Sequence, residues 1–202
     1  KILELCESNK SKLFVNYFRT VIPSINKISN SIKSKEIKLP FKGSCTYSKG
    51  LFNSASHFIN LFQLYFGKVI EIDIINKNNY DLDFEPDFEL KFPDGEIIFI
   101  SNKNNSIFIN EFDLIMKNGK LTFKNGGNDI FWEPIIKDER FPGYKILGIQ
   151  SKLSNNEFDQ IQLYASNEIN SIIRNESTNL CSGKAALSTQ QVLEQIKMKI
   201  CN

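Results

Sequence analysis

The chain has 202 residues, 25 Lys and Arg against 23 Asp and Glu, a formal net charge of +2 and 41% hydrophobic residues. That length accommodates one domain, or one domain plus a fragment of another, and the interspersed, near-neutral charge argues against a dedicated nucleic-acid surface. No run approaches the roughly twenty apolar residues that span a bilayer. The opening KILELCESNK lacks the apolar core of a secretory signal. Cys6, Cys45, Cys181 and Cys201 have neither zinc-site nor disulfide-scaffold spacing, which fits reduced thiols in the cytoplasm and no metal. The chain starts without Met inside an apparent helix, as a processed or truncated protein would.

Residues 1–8 have a helical apolar side, 12–17 have strand propensity, and 21–32 repeat Ile at helical spacing with Pro23 in the first turn. Residues 36–47 read as extended. The stretch 51–67, LFNSASHFINLFQLYFG, organises the rest. Phe52, Ala55, Phe58, Ile59, Phe62 and Tyr65 form one broad apolar side of a helix that Gly67 ends. Asn53, His57 and Asn60 lie on another side, and His57 is the only histidine in the protein. An imidazole there exchanges a proton with a bound substrate, or is a boundary residue satisfied by hydrogen bonds.

From residue 68 the period changes to two. Strands are predicted at 68–75, 82–91, 96–101, 106–116, 120–123 and 128–133, with turns at Pro93–Gly95, Asn104–Asn105 and Asn118–Gly119 and a bulge near Ile107–Phe112. A short extended piece at 143–148 precedes amphipathic helices at 157–174 and 182–196. The expected fold is α+β, a large, mostly antiparallel sheet with helices packed on one face. An uncovered apolar sheet face would make a homo-oligomer surface.

Several residues read two ways. Gly50 permits a tight strand-to-helix turn that would gather Tyr47, Lys49 and His57 around one cleft. Asp81, Asp83, Glu85 and Asp87 suggest metal binding or, more simply from their alternation with apolar residues, the wet face of a strand. Phe131 and Trp132 suit a sugar-stacking platform or sheet packing. Gly126–Gly127 does not match a nucleotide fingerprint.

VNYFRTVIP at 15–23, then a helix, a strand and YSKGLFNSASHFINLFQLYFG at 47–67, resemble the second half of a Gfo/Idh/MocA-type oxidoreductase. The Ser182–Gly183 pair before the last helix resembles that family too. The resemblance implies that 1–20 are the last helix-strand piece of a dinucleotide-binding Rossmann domain and that 21–202 are the C-terminal substrate-binding and oligomerising domain. It implies NAD or NADP in the full-length parent, with none bound by this fragment alone, and a sugar, nucleotide-sugar or cyclitol substrate. His57 would be catalytic. Tyr47, Lys49, Asn53, Asn60, Arg19 and Trp132 would contact substrate, with Arg19 on a phosphate or bracing the domain junction. The glycine-rich fingerprint and the Glu-Lys-Pro segment with the family's catalytic Lys are absent, so the isolated fragment is expected to be inactive. Where the family often has acids, Asn53 and Asn60 stand. They support a rival reading, a binding or assembly domain without the reaction. A small hydrolase lacks a nucleophile partner for His57.

Overall fold

The computed structural model describes residues 1–77, 83–102 and 107–201. Helix α1 (Ile2–Ser8) leads into an extended segment, a 3-10 turn (Phe18–Val21) and helix α2 (Pro23–Lys33). The extended segment is not a sheet strand. Phe14 bridges Ser182, Val15 N–H donates to Cys181 O, and Gly183 N–H donates to Leu13 O, so its backbone is satisfied by the entry to the last helix. Helix α2 starts later than its apolar spacing implies, because a residue before proline is held extended and Ile22 has ψ 128°.

Among the described residues nine strands form one sheet. Strand β1 (Phe41–Tyr47) lies between β4 (Gly95–Ser101) and β5 (Glu111–Met116), parallel to β4 and antiparallel to β5. The path runs from β2 (Glu71–Asn76) and β3 (Asp87–Phe92) through β4, β1, β5 and β6 (Gly119–Lys124) to β7 (Asp129–Lys137). Strands β8 (Lys145–Leu147) and β9 (Ser151–Lys152) share the outer edge of β7. The meander expected from the sequence is therefore split in two by β1.

One sheet face carries Phe88, Leu90, Ile97, Phe99, Cys45, Phe112, Leu114, Leu121 and Phe123, all buried. Helices α2, α3 (Ser56–Phe66) and α5 (Gly183–Cys201) cover it. Phe58 and Phe62 of α3 meet Phe112 edge to face. Helix α4 (Ile161–Ile173) follows a 3-10 turn and buries only Ala165 among its own residues.

The other face is mainly polar, with Ile98, Ile100, Ile115 and Phe131 interspersed, and so is not the continuous apolar dimer surface expected. Registered neighbours from β2 to β7 read Glu71, Lys91, Glu96, Lys42, Ile115, Lys120 and Glu133, a row of alternating sign with one isoleucine. Lys91 Nζ lies 3.0 Å from Glu71 and 3.1 Å from Asp73, and Lys42 Nζ 2.5 Å from Glu96.

Two of the turn and bulge readings change. The two-residue loop between β5 and β6 is Lys117–Asn118, neither with positive φ. Gly119 instead pairs with Met116 under the ring of Trp132. The register irregularity falls between Ile74 and Asn76, not at the start of β5. Asn104–Asn105 and the N-terminal end of the predicted 82–91 strand, with Asp81, lie outside the described residues.

Candidate functional site

The organising stretch begins at Gly50, one residue before the expected start, but its first turn is not regular α-helix. Lys49 and Gly50 have φ of 65° and 93°, and a wide π-helical turn, Gly50–Ala55, runs into α3. None of these residues supplies a side-chain cap. The caps arrive from the acidic segment before β3: Gly50 N–H donates to Glu85 Oε1 at 2.8 Å, and Phe52 N–H donates to Asp83 Oδ2 at 2.9 Å. Asp83–Pro86 is thus a loop over the helix start rather than strand, and Glu85 is buried. The helix lacks a Ser, Thr or Asp of its own at the cap, and that gap was the available signal for a distant acid.

The wide turn separates the predicted polar strip. Asn53 is exposed, with its N–H 3.3 Å from Asp83 Oδ2. His57 is half-buried and Asn60 buried. Asn60 Nδ2 donates to Thr189 Oγ1 at 3.0 Å and to Cys181 Sγ at 3.4 Å, and Thr189 Oγ1 donates to Gln63 Oε1 at 2.8 Å. The Asn60 amide nitrogen therefore ties α3 to α5.

Around His57 the structure gathers residues that lie far apart in sequence. The Tyr17 ring meets the imidazole edge to face with centroids 5.1 Å apart. Ser56 and Cys181 stand beside the Tyr17 phenol, which burial pushes up in pKa. The Arg19 guanidinium sits 4.8 Å from the centroid of Phe58, next to the fully buried Cys45. Burial, and then the Arg19 charge, lower the His57 pKa from 6.5 to about 4. His57 Nδ1 and Arg19 Nε are both shut away from solvent without a hydrogen-bond partner. Tyr17 and Cys181 were absent from the sequence reading of the site. Tyr17 sat in a segment read as strand, and no spacing links Cys181 to His57.

Two predicted contacts are corrected. Tyr47 does not close a pocket: it is fully buried and its hydroxyl donates to Pro86 O at 2.6 Å. Trp132 lies on β7, three strands from β1 and so about 14 Å across the sheet from it. Its ring packs on Gly119 and the core. Lys49 is exposed, with Nζ 5.4 Å from the centroid of Phe108.

Two clefts flank the His57 cluster. One, of about 430 Å³, is lined by Thr20, Asn60, Gln63, Lys68 and Ser188 among others, and the other, of about 710 Å³, by Leu3, Leu13, Tyr17 and Leu187 among others. Among the described residues no group of three or more His, Cys, Asp or Glu is placed to hold a metal ion. No described helix is long and apolar enough to cross a membrane.

No protein-family model and no curated protein matches the sequence. Solved structures do match the fold. The WlbA dehydrogenase of Bordetella pertussis, in complex with NADH and UDP-GlcNAcA, is 11% identical with a TM-score of 0.73, over 98% of this chain and 65% of that one. A dehydrogenase (MviM) from Clostridium difficile is 18% identical, TM-score 0.69, over 97% and 65%. The aldose-aldose oxidoreductase of Caulobacter crescentus is 11% identical, TM-score 0.70, over 97% and 64%. The chain spans just under two thirds of the length of these three structures. Its α+β sheet-and-helix fold is that of the C-terminal part of Gfo/Idh/MocA-type oxidoreductases.

Proposed function

We propose that this chain is the substrate-binding part of an NAD(P)-dependent oxidoreductase acting on a sugar, nucleotide sugar or cyclitol, with His57 as the proton-transfer residue. The observation that carries this reading is a lone, half-buried imidazole, held neutral at the start of α3, in a fold shared with sugar and nucleotide-sugar oxidoreductases. Residues 1–20 are read as the end of a nucleotide-binding domain.

The described residues do not themselves fit a dinucleotide. The N–H groups at the helix start are taken by Asp83 and Glu85, and the Phe158 ring fills the space over Gly127. In this reading residues outside the present chain hold the nicotinamide, which, when bound, exchanges hydride with the carbinol carbon. The present chain handles the proton. A carbinol oxidised to a carbonyl releases its hydroxyl proton, and His57 accepts it; in reduction His57 returns it. Nδ1 is sealed in, so Nε2 is the nitrogen that faces substrate. Asn53 and Lys49, exposed at the helix start, orient hydroxyl groups.

The test is nicotinamide binding and turnover by the full-length gene product containing this chain, beside its His57→Ala variant and the 202-residue chain alone. We expect both full-length proteins to bind cofactor, with turnover lower by about a hundredfold or more in the variant. The isolated chain should show no turnover. Absence of cofactor binding by the full-length protein overturns the reading. It would favour a non-catalytic binding domain, the reading that Asn60, tied into α5 rather than free in the site, also supports.

A further inference from the structure

The site contains a cation that no described residue neutralises. Among the described residues no carboxylate lies within ion-pair distance of Arg19, although Phe58 and Cys45 surround its guanidinium. Its Nε–H is shut in without an acceptor. The terminal nitrogens are not among the sealed, unpartnered atoms.

The nearby acids are occupied. Asp83 and Glu85 hold the amides at the helix start, and Glu157 Oε2 accepts from Ser24 N–H at 3.0 Å. Asn53 and Asn60 carry no charge. The titratable groups facing Arg19 and His57 are Tyr17, Cys45 and Cys181, and burial pushes all three up in pKa, so they stay neutral. A guanidinium taken out of water without a counter-charge costs several kcal/mol by general estimate, and a ligand anion recovers much of that. Guanidinium also recognises carboxylate and phosphate oxygens in a two-pronged geometry.

We propose that Arg19 is the anion-binding residue of this site and that its ligand carries a carboxylate or phosphoryl group next to the atom that reacts at His57. This rests on the oxidoreductase reading above and narrows its substrate to an acidic sugar or polyol. Such an anion also has a chemical consequence. An imidazole with a pKa of about 4 is a weak base, and a negative charge placed between it and Arg19 raises its proton affinity towards the working range. The substrate's own charge then tunes its acceptor.

His57 is the only histidine, so its ring protons report one titration without assignment. The 202-residue chain is titrated by proton NMR alone and with D-glucuronate, D-glucose, inorganic phosphate, NAD and NADP. Arg19→Gln and Arg19→Lys are measured alongside. We expect glucuronate or phosphate to bind roughly tenfold tighter than glucose and to raise the His57 pKa by about one unit or more. Arg19→Gln should abolish both effects, and Arg19→Lys should keep part of them. Stronger binding of glucuronate assigns the anion to the substrate, and stronger binding of phosphate or NADP assigns it to a phosphoryl group. Equal effects of glucuronate, phosphate and glucose, or full effects in Arg19→Gln, overturn the inference. Turnover of neutral sugars by the full-length protein, unaffected by Arg19→Gln, overturns it while leaving the oxidoreductase reading intact. Anion binding through Arg19 in a full-length protein that binds no nicotinamide does the reverse.

Discussion

At the residue scale, His57 gives the sharpest pH signature. Its folded pKa of about 4 lies below its ordinary 6.5, so between these values the unfolded chain binds a proton that the folded chain refuses. Stability therefore falls as pH drops through that window, by at most about 3 kcal/mol from this one group. Urea unfolding at pH 7 and pH 4 should show the loss, and His57→Gln should flatten that part of the acid limb. Tyr47→Phe should cost about 1 kcal/mol in the same assay, the value of its bond to Pro86, and leave ligand binding unchanged. His57 was legible in the sequence because one histidine beside an apolar helical face stands out. The interior place of Tyr47 was not: strand alternation gives a side chain's face but not whether that face lies under a helix. Asn60 pointed to the site only while its partner Thr189, on a helix far along the chain, was out of view.

Periodicity located nearly every helix and strand of the described residues but misplaced their ends, because ends are set by groups elsewhere. The start of the organising helix depends on Asp83 and Glu85. Gly50 makes the handover, since a Cβ there would overlap the Asp83 carboxylate and φ is 93°. Gly50→Ala should destabilise the chain by about 1–3 kcal/mol, read as a lower urea midpoint. Burial raises the Glu85 pKa, and Oε2 has no partner, so the charge is a burden there while the cap is useful. Glu85→Gln keeps an acceptor for Gly50 N–H and should match or exceed the parent stability. Glu85→Ala should lose about 1 kcal/mol.

For the whole molecule, the polar sheet face changes what association would look like. If copies pair through it, matching rows of alternating charge would meet, and the contact should weaken as salt rises. Sedimentation at low and high ionic strength measures this, and a mass independent of salt counts against such pairing. Lys91→Met should leave the urea midpoint nearly unchanged, since its ion pairs are largely wet. The sequence revealed an α+β sheet because alternation survives in β2–β7, but it did not reveal where β1 enters, since pairing partners leave no trace in a single strand's pattern. That entry governs the order of assembly. The β3–β4 and β5–β6–β7 units close through short turns, yet β4 and β5 never touch, and only β1 joins them. Two half-sheets can therefore form early and independently, while their union waits for a strand drawn from some fifty residues upstream of β4. Core substitutions in β1, such as Cys45→Ala, should slow folding more than equal losses in β6, as stopped-flow refolding would resolve.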